Sequence, residues 1–273
     1  MQHVLHFRKS GRESMYLAKK LGAIAAALTL GLSMSSGALA AGELKGKTLT
    51  AFVNPSGPPM AFLTNDLFHP QGIDVDIILE LQKRLGFELT EDRIYPIAHV
   101  EGLRRIKDKK ADILGGGISY TVARTKNYDF SPIYFESSLA LMYSTKVNPG
   151  LKTLADLKGK NVGVQRNSTA ESFASASGAR IHYFESNILA SFFVAMGRYD
   201  AIIYDRPPLA DFATVMDELN LDLTDDVFGQ DACQYALMLQ KDSPYRALIA
   251  KTMEEMFMDG TIDKIKSRWV TRN

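Results

Sequence analysis

Apolar and polar positions along this chain alternate between two rhythms. Thr48 to Val53 is a compact apolar run that stops at Asn54-Pro-Ser-Gly-Pro-Pro59. Such a run reads as a buried strand, and the proline-glycine cluster after it as a turn. Gly72-Ile-Asp-Val-Asp76 then opens a helix with Ile77, Ile78, Leu81 and Leu85 as its stripe, Asp74 as an N-cap and Gly86 as a stop. Phe87 to Ile94 is predicted as a strand, Val100 to Lys109 as a short helix, and Asp112 to Leu114 as a strand running into Gly115-Gly-Gly117. Strands alternating with helices predict a parallel α/β sheet.

A second series of the same kind follows Pro149. Leu154 to Leu157 is a helical turn, and Gly159 to Val164 leads into a strand. Thr169 to Ser177 is a helix, Ile181 to Phe184 a strand, and Asn187 to Arg198 a helix. Ala201 to Tyr204 is a strand stopped by Asp205, with Pro207 and Pro208 in the first turn of a helix reaching about Leu219. Extended stretches, Ser138–Ser144 and Gln234–Gln240, flank this series, and helical patterns at Pro244–Asp259 and Thr261–Trp269 close the chain. Two β/α lobes joined by two crossing strands are expected, with a ligand cleft between them.

Composition supports a folded chain: 273 residues, 46% hydrophobic and 23% charged, are outside the range of disorder. The net charge of +1 hides an asymmetry, because residues 1–40 hold five bases and one acid. Without them 27 bases face 30 acids, and nucleic acid is a poor expected partner. Those 40 residues read as a secretory signal. Lys19 and Lys20 precede an apolar run from Leu21 to Leu32, and Ala38-Leu-Ala40 fits the cleavage site. The run is shorter than the ~20 residues of a membrane span. Met15 begins a compact signal by itself and is a candidate start. Cys233 is the lone cysteine, so no internal disulfide or lipid-modified N-terminus is expected, and its replacement by serine should matter little. An exported, soluble product fits a bacterial periplasm. His69, His99 and His182 are too scattered for a metal site, and no cofactor motif is present.

Three loops carry candidate chemistry, each after a predicted strand, where α/β folds place ligands. In Gly116-Gly-Ile-Ser119-Tyr-Thr121-Val-Ala-Arg124, glycines let a ligand approach, Ser119 offers a hydroxyl, Thr121 caps a turn, and Arg124 offers a fork for a carboxylate. In Gln165-Arg-Asn-Ser168-Thr169-Ala-Glu171, Ser168 and Glu171 fit a capping box, and the same helix start suits an anion. Asp205 ends the third strand, and either pairs with a ligand ammonium or caps the next helix. A cation, an anion hole and an anion together match an α-amino acid zwitterion.

These motifs resemble those of periplasmic solute-binding proteins that serve ABC importers of polar amino acids. The matching stretches are Pro58-Pro59, Gly72-Ile-Asp-Val-Asp76, Lys110-Ala-Asp112, Ser119-x-Thr121-x-x-Arg124, Asp129-Phe-Ser131-x-x-Tyr134, Leu154-x-x-Leu157-Lys-Gly-Lys160, Val162-Gly-Val-Gln165, Arg198-Tyr-Asp-Ala201 through Asp205, and Asp259-Gly-Thr-Ile-Asp-Lys264 with Trp269. The resemblance runs from about Leu44 to Val270. It implies the two-lobed periplasmic-binding-protein fold, with residues 41–139 and 237–273 as one lobe and 140–236 as the other. It implies a non-enzymatic monomer that delivers an amino-acid-like ligand to a membrane permease. Arg124, Ser119, Ser168 and Thr169 would hold the α-carboxylate, and Asp205 and the Gly117 carbonyl the ammonium. Asn54 stands where many members carry an acid, and Gly57 where many carry an aromatic that covers the ligand. The cleft wall is thereby less acidic and less aromatic, and a basic ligand side chain would lack a partner. Phe62, His99 and Tyr120 are candidates to compensate. The alternatives on the same cleft are a dehydratase for prephenate or arogenate, with Glu171 or Glu136 as acid, and a free-standing sensing module for a signalling receptor.

Overall fold

The computed structural model describes residues 42–270. The expected signal segment, its cleavage after Ala40 and the start at Met15 lie outside the described residues. The first strand is split into β1 (Thr48–Leu49) and β2 (Ala51–Val53) at Thr50, whose backbone N–H donates to the Asp112 carboxylate at 2.8 Å. Helix α1 (Ile73–Leu85) buries Ile73, Val75, Ile77, Ile78, Leu81 and Leu85, and ends where Gly86 turns left-handed at φ 75°.

The strand predicted over Phe87–Ile94 is instead β3 (Glu88–Leu89), a 3-10 turn at Thr90–Asp92, and β4 (Tyr95–Pro96). Thr-Glu-Asp-Arg has no apolar side to bury, and Glu91 and Asp92 take positive φ. Then come α2 (His99–Lys107), β5 (Ile113–Gly115), β6 (Tyr128–Phe130) and β7 (Phe135–Glu136). The second series is β8 (Leu139–Ser144), β9 (Asn161–Gln165), α3 (Ala170–Ala176), β10 (Arg180–Phe184), α4 (Asn187–Ala195), β11 (Ala201–Asp205), α5 (Arg206–Val215) and β12 (Leu221–Leu223). The chain returns through β13 (Gln234–Tyr235) and β14 (Met238–Gln240) to α6 (Arg246–Met258) and α7 (Thr261–Trp269).

Two five-stranded sheets result, ordered β4-β2-β5-β14-β6 and β10-β9-β11-β8-β12. In each, three neighbouring strands run parallel and one strand, β14 in the first sheet and β8 in the second, runs antiparallel to its neighbours. The central strands are apolar throughout: Leu139 to Met142 of β8 and Ala201 to Tyr204 of β11 are buried, as strands covered on both faces must be. The crossing itself is narrower than the flanking stretches suggest. It is the antiparallel pair β7–β13, Phe135 opposite Tyr235 and Glu136 opposite Gln234, while β8 and β14 are already members of their sheets. Helices α6 and α7 pack back on α1, where the Trp269 indole N–H donates to Asp76 at 2.7 Å. Among the described residues no helix is long and apolar enough to cross a membrane.

Candidate functional site

Parallel strands end together, so the loops after them meet at one edge of each sheet. Asn54 follows β2, the Gly116–Ser119 loop follows β5, Ser168 and Thr169 follow β9, and Asp205 ends β11. The two edges face each other and enclose a cavity that these residues line together with Arg124 and Gly117. All seven residues singled out from the sequence are therefore brought to one place. His99, Gly116, Leu139, Gln165 and Tyr204 also line it. The cavity measures about 330 Å³ with its open mouth included.

The glycine loop is shaped by contact with its neighbours. A Cβ on Gly116 would lie 2.2 Å from the Asn54 carbonyl oxygen, and its φ is +98°, so only glycine fits. Asp74 holds this loop. Its carboxylate accepts the Gly116 N–H at 2.5 Å and the Gly117 N–H at 3.0 Å. Asp74 was expected to cap α1, but its side chain makes no cap bond. Burial raises its pKa to about 6 despite those two donors. The sequence did contain a signal: Asp74 is in register with Ile78, Leu81 and Leu85 on the buried stripe.

Arg124 starts a 3-10 turn whose first N–H is capped by the Thr121 hydroxyl at 3.2 Å. One Nη donates to the Ser119 carbonyl and the other to the Asn167 carbonyl, both at 2.8 Å. Ser119 belongs to the first sheet's loops and Asn167 to the second's, so the guanidinium bridges the cleft. Five N–H groups minus these two leave three for a ligand. Burial lowers the Arg124 pKa, and the Asp205 charge works against that.

The capping box expected at Ser168 and Glu171 does not form as drawn. The Ser168 hydroxyl donates to the Gln165 carbonyl at 2.7 Å, and the Glu171 carboxylate accepts the Asn167 N–H at 2.9 Å. Thr169 occupies the cap position of α3 without a side-chain bond, which leaves its hydroxyl available on the cavity wall. Asp205 occupies the cap position of α5, also without a cap bond. Its carboxylate faces Arg124 and Tyr235, and Cys233 Sγ donates to it at 3.5 Å. Burial raises the Asp205 pKa to about 6, with Tyr235, Cys233 and Arg124 pulling it down. Cys233 is therefore not the bystander its isolation in the sequence suggested; it is buried against a cavity carboxylate.

Of the three residues proposed to compensate for Asn54 and Gly57, one reaches the cavity. Phe62 packs edge-on against Trp269 and Tyr120 against Phe130. His99, 5% exposed at the start of α2, lines the cavity. Burial and the Arg124 charge lower its pKa to about 4, while the Asn167 backbone works the other way. Its imidazole is neutral at pH 7, and Nε2 makes no hydrogen bond of normal geometry. Across the cleft, Tyr204 on β11 is buried, and burial raises its pKa against the pull of Ser56, Asn54 and Gln165. Among the described residues no group of three His, Cys, Asp or Glu could hold a metal.

Two α/β lobes with a polar, charge-balanced cleft at their strand ends define a solute-binding protein. The chain belongs to the bacterial extracellular solute-binding proteins, family 3, whose model matches residues 49–272. It is 25% identical over 258 residues to the arginine-binding extracellular protein ArtP of Bacillus subtilis, covering 91% of this chain and 96% of that one. It is 26% identical over 255 residues to the L-cystine-binding protein TcyJ of Escherichia coli K12, covering 91% and 93%. The solved structure of an ancestral arginine-binding protein bound to glutamine superposes with a TM-score of 0.75 at 28% identity, covering 82% of this chain and 98% of that one.

Proposed function

We propose that this protein binds an α-amino acid in the cleft and delivers it to the membrane permease of an ABC importer. The observation that carries this reading is the pairing of Arg124 and Asp205 across one small cavity. The three N–H groups that Arg124 has left take the α-carboxylate, with the Ser119, Ser168 and Thr169 hydroxyls beside it. Asp205 and the Gly117 carbonyl take the ammonium, and Asn54 borders the same wall. Residues 41–139 with 237–273 form one lobe and 140–236 the other. They close about the β7–β13 pair, because only the closed form lets both lobes touch the ligand. The protein works as a monomer in the periplasm after cleavage behind Ala40. The names of its relatives, which bind arginine and cystine, support the amino-acid class.

A dehydratase needs an acid in the cavity. Glu171 is tied to Asn167 and Tyr183, Glu136 is exposed on β7, and neither is among the cavity-lining residues. Nothing in the site favours a receptor-docking sensor over a transport component.

The test is calorimetric titration with amino acids, after unfolding and refolding to strip carried-over ligand. Arg124→Ala is expected to weaken binding by at least ~2 kcal/mol, since a desolvated carboxylate is left unpaired. Arg124→Lys should restore part of it, lacking the fork. Unchanged affinity in Arg124→Ala would remove the carboxylate assignment.

A further inference from the structure

The lobes meet directly a few residues along the chain from the cavity residues Asn54 and Asp205. A Cβ on Gly57, in the loop after β2, would lie 2.9 Å from the Pro208 Cβ on α5. Next to it the Asn187 amide of α4 donates to the Ser56 carbonyl at 2.8 Å, both residues being buried. No side chain at position 57 reaches over a ligand; the opposite lobe closes that side instead. A ligand group long enough to pass between Gly57 and Pro208 would hold the lobes apart. With these contacts made, the cavity is about 330 Å³ even with its open mouth included, at the low end for a ligand pocket.

The charges on the wall set a second limit. Arg124 and Asp205 are the charged side chains among the lining residues, and the zwitterion uses both. What remains polar is uncharged: Asn54, His99, Gln165 and Tyr204. A charged ligand side chain would be desolvated without a partner. A neutral polar one would meet His99, a lining residue, and a small turn of its ring would give Nε2, which is closed off from the cavity and makes no hydrogen bond of normal geometry, a partner.

From this geometry we infer that the cleft selects amino acids with a short, uncharged, polar side chain, that Gly57 against Pro208 sets the length, and that His99 reads the polar group. This rests on the zwitterion reading above. It separates this protein from relatives whose names specify arginine or cystine.

The experiment is calorimetric titration of the refolded protein with serine, threonine, asparagine, glutamine, alanine, arginine, lysine and cystine. At least one uncharged polar amino acid is expected to bind tenfold or more tighter than arginine, lysine or cystine, whose side chains would be buried without a partner or would hold the lobes apart. His99→Phe keeps the bulk and loses the bond. It is expected to weaken that ligand about tenfold while leaving alanine within about twofold, a ratio that a purely structural defect would not change. His99→Gln should keep more of the ratio than His99→Phe. Arginine, lysine or cystine binding as tightly as the best polar ligand overturns the inference and leaves the zwitterion reading intact. So does a polar-to-alanine ratio that survives in His99→Phe. Failure of every amino acid to bind overturns the zwitterion reading and this inference with it.

Discussion

At the scale of single residues, the cleft is controlled by where protons sit. Asp205 must be ionised to take an ammonium, yet burial raises its pKa to about 6. Below that value the free protein holds a proton that the ligand must displace, so affinity should rise with pH and level off above about 7. With a pKa of about 6, binding at pH 5 is expected to be about tenfold weaker than at pH 7. His99, at about 4, stays neutral throughout this window and contributes no slope. Titrations at pH 5, 6 and 7 check this, and Asp205→Asn should lose the slope along with most of the affinity. Cys233→Ser replaces a weak S–H donor with a stronger O–H donor to the same carboxylate. It should stabilise the ionised form and move the midpoint of the slope to lower pH. Ser119, Arg124, Ser168, Thr169 and Asp205 stood out as candidates because they lie in loops after predicted strands, whereas Asn54 and Gly117 were singled out through the family resemblance, and all seven line one cavity. His99 could not be placed, because a histidine at a helix start looks alike whether it faces solvent or a cavity.

At the scale of elements, Asp74 shows how a helix can shape a loop on another strand. Rhythm alone located α1, its Gly86 stop, and the strands β5, β9 and β11. It failed at Phe87–Ile94, where the apolar run is interrupted by a polar turn, and it could not say which strands pair, since register depends on residues far apart in sequence. It also could not show that the acid on the stripe of α1 would reach Gly116 and Gly117 instead of its own helix. The native Asp74 carboxyl titrates near 6 and the unfolded one near the ordinary 3.8. Between these values the folded state binds more protons, so this group's contribution is fully present at low pH and is lost as pH rises to about 6. The difference amounts to on the order of 3 kcal/mol from the raised value of about 6. Asp74→Asn keeps an oxygen for the two N–H groups and has nothing to ionise. It is expected to melt at or above wild type at pH 7.5 and to lose that advantage toward pH 5. Asp205 is common to both proteins, so their difference isolates Asp74. A variant that tracks wild type at both pH values would show that Asp74 is not strained by its charge.

At the scale of the whole molecule, two kinds of contact favour the closed form. In the proposed complex, some run through the ligand, from Arg124 and Ser119 on one side and Thr169 and Asp205 on the other. Others join the lobes directly: Arg124 to the Asn167 carbonyl, Gly57 against Pro208, and Asn187 to the Ser56 carbonyl. Among ligands short enough to let Gly57 meet Pro208, the direct contacts do not distinguish one from another, so they set how much of each ligand's binding energy is left after closure. Asn187 is not among the residues lining the cavity. Asn187→Ala removes one buried hydrogen bond, and the Ser56 carbonyl it frees is satisfied by water only when the lobes part. A net loss of about 1 kcal/mol from the closed form corresponds to at most roughly fivefold weaker binding, the full factor being reached where the ligand-free lobes are mostly open. Because the loss belongs to the equilibrium between lobes, it should be the same factor for every amino acid that binds, in contrast to the selective loss expected of His99→Phe. Scattering in solution reports the complement: the more closed the ligand-free wild type is, the more the variant's radius of gyration should rise without ligand and the smaller its loss of affinity, with both proteins converging at saturation. A loss confined to one ligand would place Asn187 in the recognition site, and an unchanged affinity together with an unchanged radius of gyration would mean that the bond to Ser56 contributes nothing to closure.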